Sequence, residues 1–297
     1  MNRKNRILFG LLIVQVVIVF VSWNSTRRQG PEVLKLLPVE ADEVTALTVS
    51  SQTLIPENPF ESLTIKRDEN GTWVVPEADD FPLNSARVNE MLKKLTGATI
   101  GTAVAKKKEN HNALKVGERD YGKKVVLTAG DKVWSFMAGN AKGAAMHARY
   151  LDQDEVYLAK GIKSWDLSHQ IASYADTRYI HMEEPVEIRV RNPNGEISLQ
   201  RSDDGEWMVA QLPPGTNIDA TRVKAFVNAA RSIRMDRPVS REIKPYYLVG
   251  DNARVRVELR DAAGTLSYSI GGLQGEFVYV KSDNHDYVVK CRKYTLE

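Results

Sequence analysis

The sequence predicts an α+β protein in which an N-terminal single transmembrane helix is followed by two tandem copies of an antiparallel sheet plus amphipathic helix unit. Three observations lead there. The phrase LTIKRDENGTWVV, from Leu63, returns as ISLQRSDDGEWMV, from Ile197, with Leu63/Ile197, Arg67/Arg201, Gly71/Gly205 and Trp73/Trp207 each 134 residues apart. Each phrase is followed by one segment of helical periodicity. Residues 7–23 carry no charge.

Taken in order, ILFGLLIVQVVIVFVSW (Ile7–Trp23) reaches roughly 25 Å as a helix, the short end for a membrane span. Arg3, Lys4 and Arg6 precede it, Arg27 and Arg28 follow it, and Trp23 stands where an interfacial aromatic belongs. No small-x-small cleavage site follows, so an uncleaved signal anchor is expected, N-terminus inside. Gln15, in mid-span, either hydrogen-bonds to another helix or is a tolerated polar residue. The anchor is assigned to 1–28 and a linker to 29–42.

The first unit (43–162) opens with EVTALTVSS and the second (183–297) with PVEIRVRNPNG, both alternating as half-buried strands do. Asp68–Gly71 and Ser202–Gly205 carry hairpin-turn chemistry, so their acids read as turn residues. The helices NSARVNEMLKKL and DATRVKAFVNAA begin at the N-caps Asn84 and Asp219. Val88, Met91, Leu92 and Leu95 form one apolar stripe; Val223, Phe226, Val227 and Ala230 form the other. KVVLTAGDKVWSFMAGN and RVELRDAAGTLSYSIGG then align at an offset of 132 through Leu127/Leu259, Phe136/Tyr268 and Gly139/Gly271. ARYLDQDEVYLAK and FVYVKSDNHDYVVK each close a copy as strand, acidic turn and strand. A connecting helix is expected within 163–182, from Trp165 to about Tyr174. Trp73 and Trp207 are expected to cover the helix-facing side of each sheet, so the repeated phrase marks a fold unit; a doubled ligand site is the alternative.

Two features distinguish the copies. The first hairpin of copy one carries the insertion SQTLIPENPFES, placing Leu54, Ile55 and Phe60 on a long loop. This apolar tip either folds back on its own domain or contacts a partner. Lys106–Lys108 read as a solvated loop, with lipid headgroups the lesser alternative.

The chain of 297 residues carries a net charge of +3. Five of its 41 basic groups lie in residues 1–28; setting them aside leaves 36 against 38 acids. A near-neutral body excludes a nucleic-acid-binding face. The lone Cys291 excludes a disulfide framework and reads as a strand thiol. His111, His147, His169, His181 and His285 show no metal-pair spacing, and no phosphate loop, dinucleotide fingerprint or nucleophile elbow is present. No catalytic, metal or cofactor residue is assigned.

EVTALTVSS, LTIKRDENGTWVV, NSARVNEMLKKL and the ADTRYI stretch resemble a bacterial family of uncharacterised envelope domains, over about 43–295 and together with the preceding span. Such domains are commonly encoded beside ABC-2 type permeases, their ATPases and gliding-motility-type auxiliary components. No catalytic residues are established for the family. The resemblance implies a non-enzymatic, inner-membrane-anchored accessory or scaffold subunit, its bulk periplasmic, with an ABC-type permease and ATPase as partners. The alternative is an envelope glycan-binding protein, or an enzyme acting on cell wall or polysaccharide, with a site between the repeats. Trp134, Trp165 and Tyr174 are its candidate aromatics.

Overall fold

The computed structural model describes residues 14–20, 33–52, 60–210 and 219–293. Strand makes up 44% and helix 20%. The protein is therefore mostly antiparallel sheet, and the α+β expectation holds only for the single helix in each copy. The expected N-terminal span is corrected too. Among the described residues no helix is long and apolar enough to cross a membrane. This overturns the anchor over 7–23 and the single-pass inner-membrane placement with a periplasmic body. The described part of that segment is an exposed helical stretch, 14–20, which contains Gln15. Arg3, Lys4, Arg6, Trp23, Arg27 and Arg28 lie outside the described residues, as do Leu54 and Ile55.

The expected linker holds β1 (Leu34–Lys35), and the first copy supplies β2 (Ala46–Gln52), β3 (Phe60–Arg67), β4 (Trp73–Val75), β5 (Phe81–Pro82), α1 (Ser85–Thr96), β6 (Thr99–Ile100), β7 (Lys123–Ala129), β8 (Lys132–Lys142), β9 (Ala145–Tyr150) and β10 (Tyr157–Lys160). The expected connecting segment holds β11 (Arg178–His181), and the second copy supplies β12 (Glu187–Asn192), β13 (Gly195–Arg201), β14 (Trp207–Ala210), α2 (Ala220–Arg231), β15 (Ser232–Arg234), β16 (Arg237–Ser240), β17 (Val255–Arg260), β18 (Thr265–Gln274), β19 (Phe277–Ser282) and β20 (Val288–Arg292). The segment expected as a connecting helix forms two 3-10 turns, Ser164–Asp166 and Ile171–Ser173.

Strand order carries the repeat. One sheet runs β1-β6-β10-β9-β8-β7-β2-β3-β4-β5 and the other β14-β13-β12-β17-β18-β19-β20-β16. Starting from the tryptophan strand, β4-β3-β2-β7-β8-β9-β10 in the first copy corresponds to β14-β13-β12-β17-β18-β19-β20 in the second. The strand after the helix also has a counterpart: β6 pairs with β1 as β15 pairs with β11.

The helix starts follow from their caps. Asn84 Oδ1 accepts from the backbone N–H groups of Ala86 and Arg87, and Asp219 Oδ1 from those of Thr221 and Arg222. The hairpin turns are equally local. Gly71 (φ 79°) and Gly205 (φ 84°) adopt the left-handed conformation that closes each turn.

By packing, the chain divides into two compact units. The first comprises Met1–Asp42, Leu92–Val125 and Trp134–Leu167. In it, Val116, Tyr121, Met137 and Val156 form a small core beneath the loop before β7. Its buried polar groups hold backbone. Arg149 donates to the carbonyls of Val116 (2.8 Å) and Gln153 (2.9 Å), His111 Nε2 meets the Asp154 carbonyl and His147 Nδ1 that of Asn140.

The second unit comprises Glu43–Met91, Val126–Val133 and Ser168–Glu297. There Tyr268, on β18, is buried and donates to the Ala230 carbonyl (2.8 Å), satisfying one of the orphan acceptors in the last turn of α2. A second small core, Tyr247, Val249, Tyr279 and Val288, lies beneath the loop before β17.

Gly139 and Gly271 explain why those loops sit where they do. A Cβ on Gly139 would lie 2.1 Å from the Leu114 carbonyl oxygen, and one on Gly271 2.0 Å from that of Tyr247. Each loop thus rests directly on its strand, through a turn whose apex is a left-handed non-glycine residue, Lys115 (φ 57°) or Leu248 (φ 53°). Register shifts between Ala138 and Ala141, and between Ile270 and Leu273, place a bulge at the same point of β8 and β18.

Gly139→Ala and Gly271→Ala are each expected to destabilise the protein by about 1–3 kcal/mol, since the added methyl meets backbone rather than a yielding side chain. Urea denaturation of the two variants measures this.

Candidate functional site

The repeated Arg–Trp phrase ends in two different environments. Trp73 is 1% exposed. Its indole N–H donates to Asn89 Oδ1 on α1 (2.9 Å), and the Arg67 guanidinium lies 4.7 Å from its ring centroid. On α1, Val88 and Met91 are buried, as are Val49 and Leu63 on the strands.

In the second copy Lys224 stands at the Asn89 position and offers no acceptor. Arg201 points elsewhere, its Nη1 3.2 Å from Glu184. Trp207 is only half-buried, and among the described residues its indole makes no hydrogen bond. The stripe on α2 opens accordingly: Val227 and Ala230 are buried, but Phe226 is 40% exposed, and Ile197, at the Leu63 position, is 53% exposed. A groove of about 640 Å³ runs along α2, walled by Trp207, Val223, Lys224 and Val227 on one stretch and by Glu183, Glu184 and Arg231 on another. Trp73 meets the expected core role; Trp207 departs from it.

A polar joint ties the β4–α1 connection to the second copy. Asp79 and Asp80 are consecutive left-handed residues (φ 52° and 55°). The Asp79 carboxylate accepts from Ser240 Oγ (2.7 Å) and from the Arg241 backbone N–H (2.8 Å). The Tyr287 hydroxyl donates to the Asp80 carbonyl (3.0 Å) and accepts from Arg241 Nε and Nη2 (2.8 and 2.6 Å). Phe81 packs edge-on to the Tyr287 ring, centroids 4.9 Å apart. Nearby, Arg87 Nη1 donates to the Ala175 carbonyl, and Glu61 lies 3.5 Å from His169 and 3.8 Å from Arg237. The hydroxyl of Ser240 and the backbone N–H of Arg241 hold the Asp79 carboxyl below its ordinary value.

The remaining titratable groups singled out from the sequence take structural positions. Cys291 is buried, and burial pushes its thiol up to about 12. Desolvation also raises the Tyr179 hydroxyl, which donates to the Tyr287 carbonyl (2.6 Å) and accepts from the Ser282 N–H (2.9 Å). His181 is exposed and His285 stacks on Tyr179. Lys106–Lys108 are exposed, with Lys108 paired to Glu118. Among the described residues no group of three His, Cys, Asp or Glu side chains is placed to hold a metal ion. Of the aromatics considered for glycan contact, Tyr174 is buried, Trp134 is half-buried, and Trp165 is 63% exposed beneath Lys163. Phe60 begins β3 at the end of the insertion.

Sequence reasoning missed the joint, whose partners are 161 to 208 residues apart. It also missed the groove, although Asn89 and Lys224 align visibly in the two helices.

A family model described as a domain of unknown function (DUF4340) matches residues 73–248, more than half of the chain. Among curated proteins and solved structures nothing matches.

Two outcomes are expected at the joint. Tyr287→Phe, which keeps the Phe81 contact but removes the hydroxyl, is expected to cost about 1–2 kcal/mol in chemical denaturation. Because the Asp79 carboxyl is depressed on folding, its contribution is present above 3.8 and lost as pH falls through the lower folded value. Stability measured from pH 6 downward is therefore expected to fall less steeply in Asp79→Asn than in the natural chain.

Proposed function

The chain belongs to the DUF4340 family, a domain of unknown function, and from that premise we propose that it is a non-enzymatic interaction subunit serving as an accessory or scaffold part of a larger complex. The observation that carries this reading is the joint at Asp79, Ser240, Arg241 and Tyr287. Its bonds run from one repeat to the other and hold residues that otherwise have chemistry to offer. A carboxylate, a tyrosine hydroxyl and a guanidinium are spent on one another and on backbone, which favours a preformed surface over a reacting centre. The partners proposed are the ABC-type permease and ATPase implied by the family resemblance. The proposed contact is the insertion bearing Leu54, Ile55 and Phe60, on the ground that the sequence carries an apolar insertion where the other copy has only NPNG. A glycan-binding reading retains Trp165 as an exposed aromatic and loses Tyr174.

Affinity capture of the tagged full-length chain from detergent-solubilised native cells tests the proposal. Permease and ATPase recovered in fixed proportion support it; recovery of the chain alone sinks it. Leu54→Asp combined with Phe60→Asp is expected to abolish that recovery while leaving the melting temperature nearly unchanged. A large fall in melting temperature would assign the tip to the domain's own core instead.

A further inference from the structure

The groove along α2 has a chemistry of its own, independent of the complex proposed above. Its volume of about 640 Å³ lies within the range of small-molecule sites. The first copy shows how the chain itself can satisfy the same tryptophan. Trp73 has an acceptor for its N–H in Asn89 and a cation over its ring in Arg67. Trp207 has neither among the described residues, because Lys224 replaces the acceptor and Arg201 is engaged by Glu184.

The charges lining the groove then narrow what fits. Arg201, Lys224 and Arg231 face Glu183, Glu184 and Glu206, three bases against three acids, so a polyanion gains no net field there. Arg201 is paired with Glu184, and Arg231 donates to the Glu183 carbonyl. Lys224, exposed and without an ion pair among the described residues, is the base left to take a single oxyanion. Beside it lie an indole N–H that makes no hydrogen bond among the described residues, the half-buried Trp207 ring, and the apolar side chains of Val223 and Val227.

The geometry points to a binding site in the second copy for one small monoanion with an apolar ring body, an arylcarboxylate or arylsulfonate. Its ring lies against Trp207 and Val223, and its oxyanion accepts from Lys224 and the indole N–H. At the matching place in the first copy, Asn89 and Arg67 already engage the tryptophan.

Calorimetric titration of the full chain with 1-naphthoate tests this. The expected result is one naphthoate per chain, weakened at least tenfold by Lys224→Asn, which restores the first copy's residue at an exposed position. Lys93→Asn, on the exposed face of α1, is expected to leave binding unchanged, and uncharged 1-naphthalenemethanol is expected to bind at least tenfold more weakly than naphthoate. Equal affinity in Lys224→Asn, or equal affinity for the alcohol, overturns the assignment. So does failure of the natural chain to bind. If binding then appears when residues 211–218 are replaced by a Gly-Ser linker of equal length, the groove belongs to the chain's own segment.

Discussion

Each copy is organised around a tryptophan whose indole has to be covered by a helix without stranding its one N–H. Covering such a ring removes roughly 150–250 Å² from water, while a buried N–H left unpaired costs about 1–3 kcal/mol. In the first copy Asn89 resolves the conflict, and the packing follows from it. Asn89 Oδ1 lies 2.9 Å from the Trp73 nitrogen, and Val88 and Met91 on the same helix are buried. In the second copy Lys224 is a donor only, and full burial of Trp207 would leave both an indole N–H and an ammonium without partners. The half-buried Trp207 and the exposed Phe226 are the geometry expected when that burial is refused.

A second constraint holds the far side of each sheet. A loop that presses a carbonyl to within 2.1 Å of where a Cβ would stand permits only glycine on the strand beneath it. The same contact places a left-handed Lys115 or Leu248 at the loop's apex, a conformation costing on the order of 1–2 kcal/mol for a residue with a side chain. Burial of Val116 and Val249 immediately after each apex offsets that cost. The joint works by a related economy: two successive left-handed aspartates are retained because their carbonyls and one carboxylate are all engaged by the second copy.

What was legible in the sequence was local. The caps at Asn84 and Asp219, the glycine turns and the alternating strands each follow from a few neighbouring residues, and the structure places them as the pattern requires. The Gly139/Gly271 match was visible as well, but its cause was not, because the covering loops share little sequence. The joint was invisible for a plainer reason: Tyr287 and Asp80 are 207 residues apart. The expected helix over Trp165–Tyr174 failed through local competition. Ser168 Oγ takes the Gln170 N–H and the Tyr174 hydroxyl takes the Ser168 N–H, drawing off donors that a continuous helix would use. The expected anchor rested on an uncharged run with basic flanks and an interfacial Trp23, yet among the described residues no helix is long and apolar enough to cross a membrane.

Duplication lets these two constraints be relaxed separately. With two copies of one core, the first has the acceptor and the closed stripe, and the second has Lys at the same helical position while keeping its sheet. The strands of the second copy bear this out: Leu199, Val257, Leu259, Tyr268 and Val280 remain buried although the helix edge above Trp207 has opened. Opening is therefore confined to the margin of the core, where α2 meets β13 and β14, and leaves the central strands intact. A substitution that only weakened packing would expose apolar surface and add nothing. This one also puts a cation, in place of an amide acceptor, on the wall of the groove that Trp207 lines.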